Sequence, residues 1–140
     1  MFEKIVVAID GSPFSDAALA AAGGLAAKLG ADVEVLHVRE HDAIPSRAGA
    51  APDLETTDDA KGIVAAAVGQ LKASGVNAHG QVVQASTRDV PRKIIEFTTE
   101  SGADLIVVGR RGLSSLTGML LGSVSNKLIH AATVPVMVAH

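Results

Sequence analysis

The stretch Ala103-Asp-Leu-Ile-Val-Val-Gly-Arg-Arg-Gly112 decides the fold, because an apolar run leads directly into closely spaced glycines. Leu105–Val108 has no polar side chain, so we expect a strand that is buried on both faces. Nine residues separate Gly112 from Gly122-Ser123, which opens a helical pattern. A strand, a glycine loop and a helix N-terminus together present backbone N–H groups to an anion. The spacing therefore predicts a phosphate site, and we interpret its ligand as a nucleotide.

Strand-like and helix-like segments alternate along the chain on both sides of this stretch. The predicted strands are Ile5–Ile9, Val33–Val38, Gln81–Gln84, Leu105–Val108 and Val134–Ala139. The predicted helices are Phe14–Leu29, Thr57–Ala73, Asp89–Ser101 and Ser123–Ala132. Such alternation is typical of an α/β fold with a parallel sheet, right-handed crossovers and helices on both faces.

The character of each strand predicts its position in the sheet. Ile5–Ile9 and Leu105–Val108 are apolar on both faces and should be central. Gln81–Gln84 is flanked by polar residues, and Pro135 removes a ladder donor from the last strand, so both should be edges. These assignments predict a doubly wound five-stranded parallel sheet with strand order 3-2-1-4-5.

The predicted order places a topological switch point between the first and fourth strands. Ligands of doubly wound sheets bind there, beyond the carboxyl ends of the strands. Asp10-Gly11-Ser12 follows the first strand and Gly109–Gly112 follows the fourth. The glycine spacing and the topology therefore indicate the same crevice. Two long connections, 40–55 and 110–121, are expected to be irregular loops.

Composition narrows the function classes. The 140 residues are 48% hydrophobic and 19% charged, which favours a single domain over residues 1–140. A net charge of −3, with no Trp and no Tyr, argues against a nucleic-acid binder. The absence of Cys excludes a thiolate nucleophile and cysteine metal ligands. No run has the roughly 18 apolar residues of a membrane helix, and we expect a cytoplasmic protein that does not bind membranes.

Three segments resemble the universal stress protein family: KIVVAIDGSPFSDAAL at 4–19, GADLIVVG at 102–109 and GSVSNKLIHAATVPVMVAH at 122–140. The spacing Gly109-x2-Gly112-x9-Gly122-Ser123 is similar to the signature of the ATP-binding branch of that family. The resemblance implies a five-stranded doubly wound sheet, ATP at the switch point, and a homodimer that forms through the last strand, Val134–Ala139.

The resemblance also implies roles for individual residues. Asp10 would lie near the ribose and phosphates, with Mg²⁺ or another divalent cation. Ala8 and Ile9 would line the base pocket, and Val38 would hold the adenine edge through its backbone. The residues that would wrap the ribose and phosphates are Gly109, Arg110, Arg111 and Gly112. Those that would meet the phosphates at the helix N-terminus are Gly122, Ser123, Val124 and Ser125. The paired arginines depart from the family pattern and could add phosphate contacts.

Several alternatives stay open from the residues alone. Asp10 could cap the first helix; if Ser12 caps that helix instead, Asp10 is available to a ligand. We favour a nucleotide-dependent regulatory protein whose state is read by an unknown protein partner. The competing hypotheses are a slow ATPase or nucleotidyl-transfer enzyme that uses Asp10, and an interaction module that binds no nucleotide.

Overall fold

The computed structural model describes residues 1–41, 56–110 and 121–140, which contain a five-stranded parallel sheet. Its strands are β1 (Lys4–Ile9), β2 (Asp32–Glu40), β3 (Ala78–Ala85), β4 (Leu105–Gly109) and β5 (Val136–Ala139). The observed order is β3-β2-β1-β4-β5, which confirms the prediction. β1 and β4 each have two neighbours, and β3 and β5 are the edges, as the apolar runs and Pro135 indicated.

Helices cover both faces of the sheet. They are α1 (Pro13–Leu29), α2 (Thr57–Ala73), α3 (Val90–Ser101) and α4 (Ser123–Ala131). Asp89, the predicted first residue of the third helix, instead ends a single 3₁₀ turn, Thr87–Asp89. Across the described ranges, none of these helices combines the length and the apolar character that crossing a bilayer would need.

Two hydrophobic cores, one on each face, explain why β1 and β4 are apolar throughout. Val7 and Val107 pack with α1 and α2 on the first face. Val6 and Ile106 pack with α3 and α4 on the second face. Because side chains alternate along a strand, a strand covered on both sides needs an unbroken apolar sequence. This requirement fixes β1 and β4 in the interior of the sheet.

The predicted start of the last strand is wrong. The strand begins at Val136 rather than at Val134, because Pro135 has no N–H with which to join the ladder. At the end of the first helix, Leu29 is 45% exposed. Leu29 is the last residue of α1, and the next residue, Gly30, takes a left-handed conformation with φ +68° that ends the helix.

Both predicted loops fall largely outside the described residues. Within 40–55, Glu40 belongs to β2 and His41 follows it; residues 42–55 and 111–120 are outside the described ranges. Thr56 is the N-cap of α2 and forms a capping box with Asp59: Thr56 Oγ1 accepts from the Asp59 N–H, and Asp59 Oδ2 accepts from the Thr56 N–H. These hydrogen bonds hold the pKa of Asp59 below its usual value.

We predict that Gly80→Ala lowers the free energy of unfolding by about 1–3 kcal/mol, because overpacking displaces well-packed side chains. A Cβ on Gly80 would overlap Val64 of α2 and lie 2.9 Å from Val68 Cγ2. Urea unfolding followed by circular dichroism measures the change. The control is Gly69→Ala on the exposed side of α2, where nothing lies within 4 Å of the added Cβ. Gly69→Ala should stabilise by about 0.5–1 kcal/mol through helix propensity. Equal stability of Gly80→Ala and the wild type would contradict this packing.

Candidate functional site

The carboxyl ends of β1 and β4 lie side by side at the switch point. Ala8 pairs with Val108 in the parallel register. α1, which follows β1, lies on one face of the sheet, and α4, the helix after β4, lies on the other. Asp10 and Arg110, the residues directly after β1 and β4, therefore border one crevice. This geometry brings together the two halves of the site that the sequence predicted separately.

Asp10 is held in a tight turn by its own neighbours. Its Oδ1 accepts hydrogen bonds from the Ser12 N–H at 2.9 Å and from Ser15 Oγ at 2.7 Å. The Asp10 N–H in turn lies 2.9 Å from Ser15 Oγ, to which it donates. Gly11 has φ +81°, a conformation that suits glycine in this turn. These hydrogen bonds fix the orientation of the Asp10 carboxylate.

Ser12 does not cap α1 as the sequence suggested. Ser12 occupies the N-cap position by its backbone, and Pro13 follows at the first helical position, but the Ser12 side chain makes no capping hydrogen bond. The hydroxyl is buried and has no partner among the described residues. The alternative in which a Ser12 side-chain cap makes Asp10 available to a ligand therefore lacks its condition, and Asp10 Oδ1 instead accepts the Ser12 N–H.

Position 109 requires glycine because the start of α1 leaves no room for a side chain there. A Cβ at this position would lie 2.5 Å from the Phe14 carbonyl oxygen in the first turn of α1. Neither Gly109 nor Gly122 has a positive φ, so conformational freedom does not explain either glycine. The first glycine of the signature thus lets the end of β4 pack directly against the start of α1.

The N-terminus of α4 is fastened to the end of β4. The Gly122 N–H donates to the Arg110 carbonyl at 2.8 Å, and the Arg110 N–H donates to the Ala139 carbonyl at 3.0 Å. The buried Ser125 hydroxyl donates to the Gly109 carbonyl at 2.7 Å. Ser125 was expected to meet phosphates, and here its hydroxyl proton holds helix and strand together. The two ends of the glycine spacing are adjacent in space.

The first turn of α4 offers backbone donors. Its N-cap is Gly122, which has no side chain to accept a hydrogen bond. No acceptor for the N–H groups of Ser123, Val124 or Ser125 occurs within residues 1–41, 56–110 and 121–140. Unsatisfied N–H groups and the helix macrodipole both favour a negative charge at this end. Ser123 is exposed there, so an anion can reach it from solvent.

The residues expected to line the adenine pocket lie on different faces of the sheet. Ala8 and Val38 both pack toward the α3 and α4 face. Ile9 packs toward the α1 and α2 face, as the alternation of a strand requires. Ile9 therefore cannot share a side-chain pocket with Ala8. Its carbonyl accepts from Nδ1 of the buried His37 at 2.7 Å, a contact that sequence spacing gave no reason to expect.

Arg110 is partly buried beside these groups, and Arg111 and Gly112 lie outside the described residues. The described residues contain no group of three or more potential metal ligands. A single carboxylate such as Asp10 is still compatible with Mg²⁺, because Mg²⁺ on nucleotides is held by one or two carboxylates together with phosphate oxygens and water.

Two of the cavities in the described parts of the chain bear on the site. One, of about 200 Å³, lies between α1 and α2 beyond β1, where Gly11 and Ile63 are among its lining residues. The other, of about 680 Å³, lies between α3 and α4. None of the predicted site residues lines the larger cavity, so that cavity is separate from the switch point.

The chain therefore has a doubly wound parallel sheet with backbone N–H donors at its switch point. Proteins of this α/β class bind their ligands beyond the carboxyl ends of the strands. A model of the Universal stress protein family matches residues 1–140. Universal stress protein YxiE of Bacillus subtilis is 34% identical over 157 aligned positions that cover 99% of each chain. The chain therefore belongs to the universal stress protein family.

Solved structures agree with this assignment. The structure of hypothetical protein MJ0577 has a TM-score of 0.83 at 26% identity and covers 99% of this chain and 96% of its own. A universal stress protein in complex with cAMP has a TM-score of 0.74 at 28% identity and covers 99% of this chain and 97% of its own. The chain spans only 44% of the length of Universal stress protein Rv2005c of Mycobacterium tuberculosis, which is 35% identical over the matched region.

We predict that Ser15→Ala destabilises the protein by about 1–2 kcal/mol, because it leaves the Asp10 N–H without its acceptor. Ser12→Ala is the matched control, since it removes a hydroxyl of the same turn that has no partner among the described residues. This second change should be neutral or stabilising. Urea unfolding of both variants measures the difference. Equal losses in the two variants would contradict the hydrogen-bond assignment of the turn.

Proposed function

We propose that this protein binds ATP with Mg²⁺ or another divalent cation at the switch point and acts as a nucleotide-dependent regulatory protein. The observation that carries the proposal is the glycine-capped N-terminus of α4, whose first N–H groups lack acceptors among the described residues. The binding of cAMP by a relative with this fold supports a nucleotide as the ligand.

The phosphates would occupy the first turn of α4. Backbone N–H groups of Ser123, Val124 and Ser125 would donate to phosphate oxygens, aided by the helix macrodipole. The hydrogen bonds from Gly122 to Arg110 and from Ser125 to Gly109 place these donors in advance. Preorganised donors bind an anion without an additional ordering cost.

The metal ion would lie beside Asp10. A carboxylate next to phosphates is unfavourable unless a cation lies between them, and Mg²⁺ supplies that charge. Ser15 and the Ser12 N–H engage Oδ1 and thereby orient the carboxylate. The base would lie on the side of the sheet that carries Ala8 and Val38. Arg110, Arg111 and Gly112 remain predicted contacts of the ribose and phosphates.

The protein would regulate its partners by associating with a second copy and with another protein. β5 has only β4 as a neighbour in the described sheet, so its outer edge offers backbone groups for pairing. A homodimer through Val134–Ala139 would cover this edge. The hydrogen bond from the Arg110 N–H to the Ala139 carbonyl connects the phosphate site to that strand. A protein partner in the cytoplasm would read the nucleotide-bound state.

Calorimetric titration of ATP, with and without Mg²⁺, into wild type and Asp10→Asn tests the proposal. Asn keeps the Oδ1 acceptor of the turn and removes the charge. We expect Asp10→Asn to weaken Mg²⁺–ATP binding at least tenfold. Without Mg²⁺ the same change should leave ATP binding equal or tighter, because the carboxylate no longer repels the phosphates.

Gly122→Val is the companion variant, because φ −71° and ψ 160° are ordinary extended values that valine adopts without strain. Its side chain would stand where phosphate should approach, so ATP binding should fall in both conditions. Gly62→Val, on the exposed side of α2 with nothing within 4 Å, should bind like the wild type. No binding of ATP to the wild type at millimolar concentration would overturn the proposed function.

A further inference from the structure

The cavity of about 680 Å³ between α3 and α4 is a groove that the nucleotide site does not use. Its apolar lining includes Pro91 and Ile95 of α3 and Ala131 of α4. Five charged side chains and one histidine also line the groove: Arg88, Arg92, Glu96, Glu100, Lys127 and His130. An apolar floor with a charged rim is the usual anatomy of a protein contact surface.

The charges along α3 follow a regular order. Arg88 lies in the 3₁₀ turn before α3, and Arg92, Glu96 and Glu100 follow it on α3 at intervals of four residues. All four line the groove and form one row along it, with the basic pair first and the acidic pair last. Pro91, Ile95 and Thr99 form a parallel row beside it. The charge of the first row therefore changes from positive to negative at its middle. The second row has the apolar side chain of Ile95 at its middle.

This order contributes little to the stability of α3 itself. The helix macrodipole favours acidic residues in the first turn and basic residues in the last turn, and α3 has neither, although Asp89 lies at its N-cap and pairs with Arg92. Arg92 and Glu96 also stand in the less favourable order for a pair spaced four residues apart. The charge order therefore calls for an explanation outside the single chain.

We propose that the α3–α4 groove is a contact surface for a second copy of this chain, with the two α3 helices packed antiparallel across a two-fold axis. A row that reads basic-basic-acidic-acidic is complementary to itself when it is reversed. Arg92 of one copy then faces Glu96 of the other, and Arg88 faces Glu100. Ile95 lies near the axis and meets its own copy. Isologous contacts require this kind of self-complementarity.

The intramolecular ion pairs of the row can be exchanged at little cost. Arg92 pairs with Asp89 at 3.1 Å and with Glu96 at 3.3 Å, and its side chain is 61% exposed. Exposed pairs of this kind contribute only about 0–1 kcal/mol. The formal net charge of −3 for the whole chain is too small to oppose the approach of two copies strongly. This face is separate from the β5 edge, so the proposal is independent of the proposed dimer through that edge.

A cross-linking experiment tests the contact in the full chain. The chain has no cysteine, so Ile95→Cys introduces a single thiol near the proposed axis. Under mild oxidation this variant should form a disulfide-linked dimer at least tenfold faster than Ala65→Cys, an exposed position on α2 across the sheet. Equal rates for the two variants would overturn the proposal.

Charge reversal then tests the pairing. In the Ile95→Cys background, R88E with R92E gives an all-acidic row, and E96R with E100R gives an all-basic row. Each variant alone should lose at least tenfold in cross-linking rate, and an equimolar mixture should recover it as a mixed dimer. Both changes agree with the helix dipole, so folding should persist, which circular dichroism checks. A mixture that cross-links no faster than its components would overturn the proposal and leave the groove to an occupant other than a second copy of this chain.

Discussion

The pairing of β1 with β4 is the constraint on which the rest of the structure depends. Because these strands are covered on both faces, their side chains must be apolar on both sides. Polar residues can therefore occur only after the strands end. Gly109 then lets the end of β4 pack against the first-turn carbonyl of α1. The same approach brings the Asp10 turn and the N-terminus of α4 to opposite sides of one crevice.

Much of the fold could be predicted from residue patterns, because burial imposes them locally. The apolar runs located the central strands, and Pro135 indicated an edge. Other features depend on partners far away in the sequence. No pattern shows that Gly109 faces the Phe14 carbonyl, or that Ser125 donates to Gly109. The separation of Ala8 from Ile9 was available from strand alternation, which places neighbouring residues on opposite faces.

The candidate site could be located from the sequence more readily than its contacts could be assigned. Glycine spacing and topology both indicated the switch point, and the structure brings Gly109, Arg110 and Gly122 together there. Two side chains make other contacts than those predicted: the Ser12 hydroxyl does not cap α1, and the Ser125 hydroxyl donates to the Gly109 carbonyl. A hydroxyl or glycine in a signature can serve the scaffold, so what the site offers an anion is mainly backbone N–H groups. α4 contributes to both proposed surfaces, with its N-terminus at the proposed phosphate site and Lys127 and His130 in the α3–α4 groove.

The most direct test of the central claim is to follow the backbone amide resonances of ¹⁵N-labelled protein during a titration with ATP and Mg²⁺. The account predicts the largest downfield shifts at the amides of Ser123, Val124 and Ser125, because new hydrogen bonds to phosphate deshield those protons. Smaller shifts should appear at Asp10 and Gly11. Shifts concentrated on Ile95, Thr99 and His130, with α4 amides 123–125 unchanged, would place the nucleotide in the α3–α4 groove and contradict the account.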